Sequence, residues 1–123
     1  MEIHGREVKF KRTVGANCAI EKYFEPLGGF NLQRISEGDY STQQENAAAF
    51  MEELSKGAEE AAFWDAYNRG ETYMVHPLTS SEAMTLENED FNALFIEALK
   101  VWAEAAPTVK AKPVEKKTDD QSS

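Results

Sequence analysis

A chain of 123 residues with a net charge of −9 fits one acidic globular domain with a modest core. No apolar run approaches the roughly 18 residues that cross a bilayer, so we expect no membrane segment. The opening MEIHGREVKFKR lacks the apolar centre of a secretory signal, and the single cysteine, Cys18, cannot form an intramolecular disulfide. These features predict a cytoplasmic location.

The negative charge is concentrated in the middle of the chain. Residues 1–12 carry +2 and residues 107–123 carry +1, so residues 13–106 carry −12. An acidic body repels phosphate backbones, which argues against nucleic-acid binding. The charge distribution instead favours a protein that stays in solution and contacts basic or apolar surfaces of other proteins.

The first twelve residues alternate in the manner of β-strands. Val8 and Phe10 fall on one side, with lysines between and after them, and a tight turn is predicted near His4-Gly5-Arg6. A lone hairpin is marginally stable in water, so we expect its apolar side to pack on helices.

Helical periodicity begins after this hairpin. Thr13 is the predicted cap of a first helix, and Asn31 to Ser36 predicts one or two further turns. Ser41 is the predicted cap of the next helix, with Gln44 completing a capping box. That helix either kinks at Gly57 or breaks there into two, because glycine costs only about 1 kcal/mol in a helix interior.

A connection separates this region from the last helices. Residues 71–78 are predicted to form a loop in which Tyr73, Met74 and Val75 pack inward. Thr79 is the first residue of a second capping box, which predicts a short helix after it.

The final helix, residues 85–105, has the most coherent apolar face in the chain, and Thr85 or Asn88 is its predicted cap. The residues of this face are Phe91, Leu94, Phe95, Ala98, Leu99 and Trp102.

These patterns predict a mainly α (α+β) fold. It consists of a short N-terminal β-hairpin packed on a small bundle of about four to five helices, within a single domain of residues 1–106. Residues 107–123, PTVKAKPVEKKTDDQSS, contain two prolines and seven charges but no aromatic residue. They are predicted to be a disordered charged tail, because they cannot bury enough apolar surface to offset their chain entropy.

Motifs for catalysis, metal ions or cofactors are missing from the sequence. His4 and His76 lack a nearby cysteine or ligand-spaced carboxylate, and Cys18 has no adjacent base. Three groups of carboxylates are interpreted as solvated surface and helix-dipole partners rather than acid/base pairs. They are Glu52-Glu53, Glu59-Glu60 and Glu87-Glu89-Asp90. We therefore predict a protein that is not an enzyme and has no cofactor.

A surplus of large apolar side chains is the feature that points to function. Trp64, Tyr67, Ile96 and Val101 do not all fit on a single stripe of their helices. Leftover aromatic residues in a small domain indicate a protein–protein contact, unless a neighbouring helix covers them. Both interpretations stay open from the sequence.

Three stretches of the chain resemble a known family. The opening MEIHGREVKFKRTVGANCAIEKYF resembles the I-x-G-K-E-V-x-F-K-x-T-V-G-A pattern that begins tail assembly chaperones of long-tailed bacteriophages. The central LSKGAEEAAFWDAY and the closing HPLTSSEAMTLENEDFNALFIEALKVW are also similar to that family. The resemblance covers about residues 1–105.

The resemblance implies a non-enzymatic role in building a phage tail. Such chaperones bind the tape measure protein, help tail tube subunits assemble around it, and leave before the virion is finished. The implied partners are these two proteins, with weak self-association between copies of the chaperone. The candidate client-binding residues are Trp64, Tyr67, Ile96 and Trp102. The alternative is a small acidic helical adaptor or regulatory protein that binds one folded partner.

Overall fold

A two-stranded hairpin leads into five α-helices in the computed structural model, which describes residues 1–105. This confirms the predicted mainly α (α+β) fold with an N-terminal hairpin. The predicted tail, residues 107–123, lies outside the described residues. The elements are β1 (Glu2–Ile3), β2 (Arg6–Glu7), α1 (Val14–Phe24), a 3-10 turn (Glu25–Leu27), α2 (Leu32–Ile35), α3 (Tyr40–Asn68), α4 (Ser80–Ala83) and α5 (Asn88–Glu104).

The hairpin turns where the sequence predicts. His4 and Gly5 both have positive φ, 51° and 81°, as the two central residues of a tight primed turn require. Ile3 pairs with Arg6 across the turn, and Ile3 is buried. The Arg6 guanidinium forms an ion pair with Glu82 of α4, so the hairpin is attached to the helices by both apolar packing and charge.

The long helix α3 runs through Gly57 without a break, which rules out two separate helices at this position. A Cβ atom at Gly57 would lie 2.5 Å from the backbone oxygen of Lys11 and 2.9 Å from Oγ1 of Thr13. The Lys11 N–H also donates to the carbonyl of Leu54 at 3.0 Å. Glycine is therefore present because residues 11–13 cross α3 at backbone contact distance, and not because the helix ends.

The cap of α3 differs from the prediction. The helix begins at Tyr40, and Asp39 accepts a hydrogen bond from the Thr42 N–H at 2.9 Å, so the assignment of the cap to Ser41 was wrong. Aspartate and serine are about equally good N-cap residues, and in this helix the cap is the aspartate that lies two residues before Ser41. The hydrogen bonds from Thr42 lower the pKa of the Asp39 carboxyl.

We expect Asp39→Ala to lower the urea midpoint of unfolding, whereas Ser41→Ala leaves it nearly unchanged. Because the folded-state pKa of Asp39 is lowered, its contribution is present at neutral pH and is lost as the pH falls through that folded value. The difference between the two variants should therefore stay constant from about pH 7 to about pH 4 and shrink as the pH falls further. Equal losses in both variants at neutral pH would contradict the assignment of the cap to Asp39.

The other predicted caps have mixed outcomes. Thr13 caps α1 by accepting from the Ala16 N–H at 3.1 Å, and Thr79 caps α4 by accepting from the Glu82 N–H at 3.1 Å. Neither Thr85 nor Asn88 caps α5, because the N-cap position is Glu87, whose side chain makes no capping bond. Asn88 lies inside the helix and accepts from the Tyr40 hydroxyl at 2.9 Å.

Aromatic rings meet around Phe50 of α3 at the centre of the core. The Phe50 ring lies 5.8 Å from Phe30, 6.1 Å from Phe95 and 5.5 Å from Trp102, measured between centroids. The predicted apolar face of α5 is confirmed, since all six of its residues are buried or pack against the core. The Arg12 guanidinium lies 3.4 Å from the centroid of the Trp102 ring and donates to the Trp102 carbonyl at 2.8 Å. It thereby satisfies one of the last carbonyls of α5.

Candidate protein-binding site

The C-terminal half of α3 is held by the chain that returns along it, residues 71–80, which we call the return segment. Three side chains of α3 accept hydrogen bonds from alternate backbone N–H groups of this segment. The pairs are Glu59 with His76 at 3.0 Å, Ser55 with Leu78 at 2.7 Å, and Glu52 with Ser80 at 2.6 Å. The spacing of the three acceptors places them on one face of the helix, so they form a polar ladder for an extended chain.

This ladder corrects two predictions. Both glutamates were predicted to be solvated surface residues. That prediction was wrong, because Glu59 is only 9% exposed and Glu52 is partly buried. The Tyr73 hydroxyl also donates to the Glu59 carboxylate at 3.0 Å, and burial together with this bond raises the pKa of Tyr73. The predicted inward packing of Met74 and Val75 was wrong, because both are exposed. The return segment is fixed mainly by hydrogen bonds and by Leu78, which is fully buried.

Beyond the ladder, three aromatic side chains of α3 contact one another on its surface. Phe63, Trp64 and Tyr67 form what we call the α3 aromatic cluster. The ring centroids are 5.2 Å apart for Phe63–Trp64, 5.4 Å for Trp64–Tyr67 and 6.3 Å for Phe63–Tyr67. Trp64 is 57% exposed and Tyr67 is 63% exposed, while Phe63 is partly buried.

The position of Trp64 on α3 explains its exposure. Seven residues separate Gly57 from Trp64, so the two lie on nearly the same side of the helix, about 20° apart. Residues 11–16 cover this side at Gly57, where the backbone of Lys11 is in contact. Two turns later the same side remains open to solvent, and Trp64 occupies it. The cluster is therefore a continuation of a helix-packing face against which no other segment of residues 1–105 packs.

The four candidate client-binding residues fall in three places. Trp64 and Tyr67 meet in the cluster, whereas Ile96 is 53% exposed on α5. Trp102 packs among the core aromatic rings under Arg12. Phe63 was not among the candidates, although its spacing of four residues from Tyr67 is a signal that the two rings meet.

The described residues provide little for other chemistry. Residues 1–105 contain no group of three or more His, Cys, Asp or Glu side chains that could hold a metal ion. In the same range, no helix combines the length and the apolar character needed to cross a membrane.

The fold and the cluster define a small, mainly helical α+β protein with an exposed aromatic surface on its longest helix. Comparisons with family models, with curated proteins and with solved structures found no match.

Proposed function

We propose that this protein is a non-enzymatic chaperone of phage tail assembly, which binds the tape measure protein and helps tail tube subunits assemble around it. The sequence resemblance supplies the identity of the client. The observation that carries the proposal is the α3 aromatic cluster, which offers apolar contact area on a strongly acidic body. A chaperone that holds an aggregation-prone client needs both properties.

The cluster has enough apolar surface for weak binding at each copy of the chaperone. Trp64 and Tyr67 each leave more than half of their surface in water. Covering that surface is worth about 2 kcal/mol for each ring, at about 25 cal/mol for each Å² buried. Several copies on one long client would add their contributions through avidity. The charge of −12 on residues 13–106 would keep such a complex in solution.

The chaperone acts in the cytoplasm of the bacterial host, associates weakly with further copies of itself on the client, and is absent from the mature virion. An adaptor that binds one folded partner would differ in its stoichiometry, because it would form a single 1:1 complex.

Co-expression with the tape measure protein encoded nearby tests the proposal. We expect the unaltered chaperone to keep that client soluble and to co-purify with it. The variant Trp64→Ala with Tyr67→Ala should reduce the soluble client at least tenfold, because about 4 kcal/mol of contact is removed. The helix content measured by circular dichroism should not change, since both side chains are exposed.

Tyr40 provides a matched control on the same helix. It is 62% exposed, against 63% for Tyr67, but it lies at the opposite end of α3. Tyr40→Ala should leave the soluble client unchanged, whereas Tyr67→Ala alone should reduce it. If only Ile96→Asp removes the client, the contact lies on α5 and not on the cluster. If the unaltered protein does not solubilise the client, the chaperone proposal is wrong and the adaptor is favoured.

A further inference from the structure

A groove with a volume of about 450 Å³, which we call the α1 groove, runs along the outer side of α1. Its lining residues are Cys18, Glu21, Lys22, Glu25, Gly29 and Phe30. The first four stand at positions i, i+3, i+4 and i+7, so they share one side of the helix. Gly28 and Gly29 have φ angles of 100° and 99° and reverse the chain, which brings Phe30 alongside α1, 5.0 Å from the Phe24 ring centroid.

The α1 groove has an excess of negative charge. Glu21 and Glu25 are exposed, and neither forms an ion pair with any residue in the range 1–105. Lys22 is the single cation among the lining residues, so the lining carries a net charge of −1. The groove therefore offers two carboxylates to a basic segment.

The chain leaves α5 beside this groove. Trp102, two residues before the last residue of α5, packs against Phe30 with the ring centroids 5.2 Å apart. The Arg12 guanidinium donates to the Trp102 carbonyl at 2.8 Å and to Oδ1 of Asn17 at 2.9 Å, and Asn17 directly precedes the first lining residue. Residues 106–112 span up to about 23 Å when extended, whereas the lining residues of α1 extend over about 10.5 Å. The chain that follows α5 is therefore long enough to cross the whole groove.

We propose that residues 107–112 of this chain, with the sequence PTVKAK, occupy the α1 groove as an extended segment. Its valine and alanine face the Phe30 ring, and its two lysines face the carboxylates of Glu21 and Glu25. The residues from Pro113 onward then remain to reach a partner, and the predicted disorder applies to them alone. This inference does not depend on the chaperone proposal.

The alternation and the spacing of the segment both match the groove. Residues 109–112 have the sequence VKAK, so an extended chain places the two apolar side chains on one side and the two lysines on the other. Lysines two residues apart in an extended chain are separated by about 6.6 Å. Glu21 and Glu25 are four helical residues apart, which is about 6 Å along the axis. Each lysine can therefore face one carboxylate.

The prolines on either side favour the extended form. Pro107 begins the segment and Pro113 follows it. Proline restricts the residue before it to extended conformations, which applies to Ala106 and Lys112. The fixed φ of proline also reduces the chain entropy that is lost when the segment is held. Residues 107–112 carry a charge of +2 and no acidic residue, which is opposite in sign to the charge of the groove.

Amide relaxation of the full chain, measured by NMR, tests this inference. Backbone order parameters of residues 109–112 should be about 0.8, close to those of a fixed backbone, whereas those of residues 116–123 should be below about 0.6. Lys110→Glu with Lys112→Glu should lower the first values below about 0.6, because the segment leaves the groove. The amide resonances of the residues that line the groove should shift in the same variant.

Lys116→Glu with Lys117→Glu is the matched control, because it makes the same charge change outside the segment. It should leave the order parameters of residues 109–112 and the resonances of the α1 groove unchanged. Equal loss of order in both pairs of variants would overturn the inference, because it would show a response to net charge alone.

Charge reversal on the other side of the contact tests the pairing itself. Glu21→Lys with Glu25→Lys should release the segment, and its combination with Lys110→Glu and Lys112→Glu should restore the order parameters. Both glutamates are exposed, so the helix content measured by circular dichroism should not change. If the combined variant does not restore the order parameters, the lysines do not face these carboxylates and the inference is wrong.

Three further outcomes would also overturn the inference. The first is low order parameters for residues 109–112 in the unaltered chain. The second is high values that persist when the charges of the groove are reversed, since the segment would then lie elsewhere. The third is sedimentation of dimers together with loss of order on dilution, because the groove would then hold the segment of a second copy. None of these results bears on the α3 aromatic cluster, so the co-expression experiment tests the chaperone proposal separately.

Discussion

Gly57→Ala should destabilise the fold by about 1–3 kcal/mol, although alanine in a helix interior ordinarily stabilises it by about 1 kcal/mol over glycine. The added methyl group would lie 2.5 Å from the backbone oxygen of Lys11, and a backbone atom cannot move aside as the end of a flexible side chain can. Relief of this contact would require residues 11–13 to move away from α3. The hydrogen bond from Lys11 to Leu54 would then lengthen or break.

Gly15 is the matched control, since it also lies in a helix and has no neighbour closer than 3.9 Å to an added Cβ. Gly15→Ala should therefore be neutral or stabilising by up to about 1 kcal/mol. Urea unfolding followed by circular dichroism measures both changes. A gain in stability from Gly57→Ala would mean that residues 11–13 do not cross α3 at contact distance.

Patterns within short stretches of the sequence were sufficient for much of the fold. The His4-Gly5 turn follows from local turn chemistry, and the caps at Thr13 and Thr79 follow from one residue type before a helical period. The choice between Asp39 and Ser41 could not be made this way, because both are good caps and stand two residues apart. The N-cap of α5 was also misassigned: Glu87 occupies that position, and Asn88 is the first residue of the helix and accepts from the Tyr40 hydroxyl of α3.

Features that depend on contacts between distant segments were not predictable. Glu59 looks like a surface residue of a charged helix, and only the return of residues 71–80 along α3 buries it. Gly57 could equally have ended a helix, because the backbone that crosses it lies more than forty residues earlier in the chain. For the candidate site, the sequence indicated that Trp64 and Tyr67 were in surplus. The sequence placed Trp102 both on the apolar face of the last helix and among the client-binding candidates, and only the fold decides between these roles, because Phe30 and Phe50 pack against its ring.

Glu59→Ala should destabilise the fold by about 2–4 kcal/mol, more than Gly57→Ala. The carboxylate accepts hydrogen bonds from the His76 N–H and from the Tyr73 hydroxyl, each at 3.0 Å. Hydrogen bonds to a charged group contribute about 1.5–3 kcal/mol each, and the donors that remain would have no acceptor in a largely buried place. Glu59→Gln retains one acceptor oxygen and nearly the same volume, so it should lose about half as much.

Glu60 is the matched control for this prediction, because it is the next residue of α3 but is exposed. Glu60→Ala should change the free energy of unfolding by less than about 0.5 kcal/mol. Amide hydrogen exchange adds a local measurement: the His76 and Leu78 amides should exchange faster in Glu59→Ala than in Glu60→Ala, because the ladder has lost its first member. Equal exchange and equal stability in the two variants would mean that Leu78 alone holds the return segment. In that case the polar ladder would follow from the position of the segment and would not determine it.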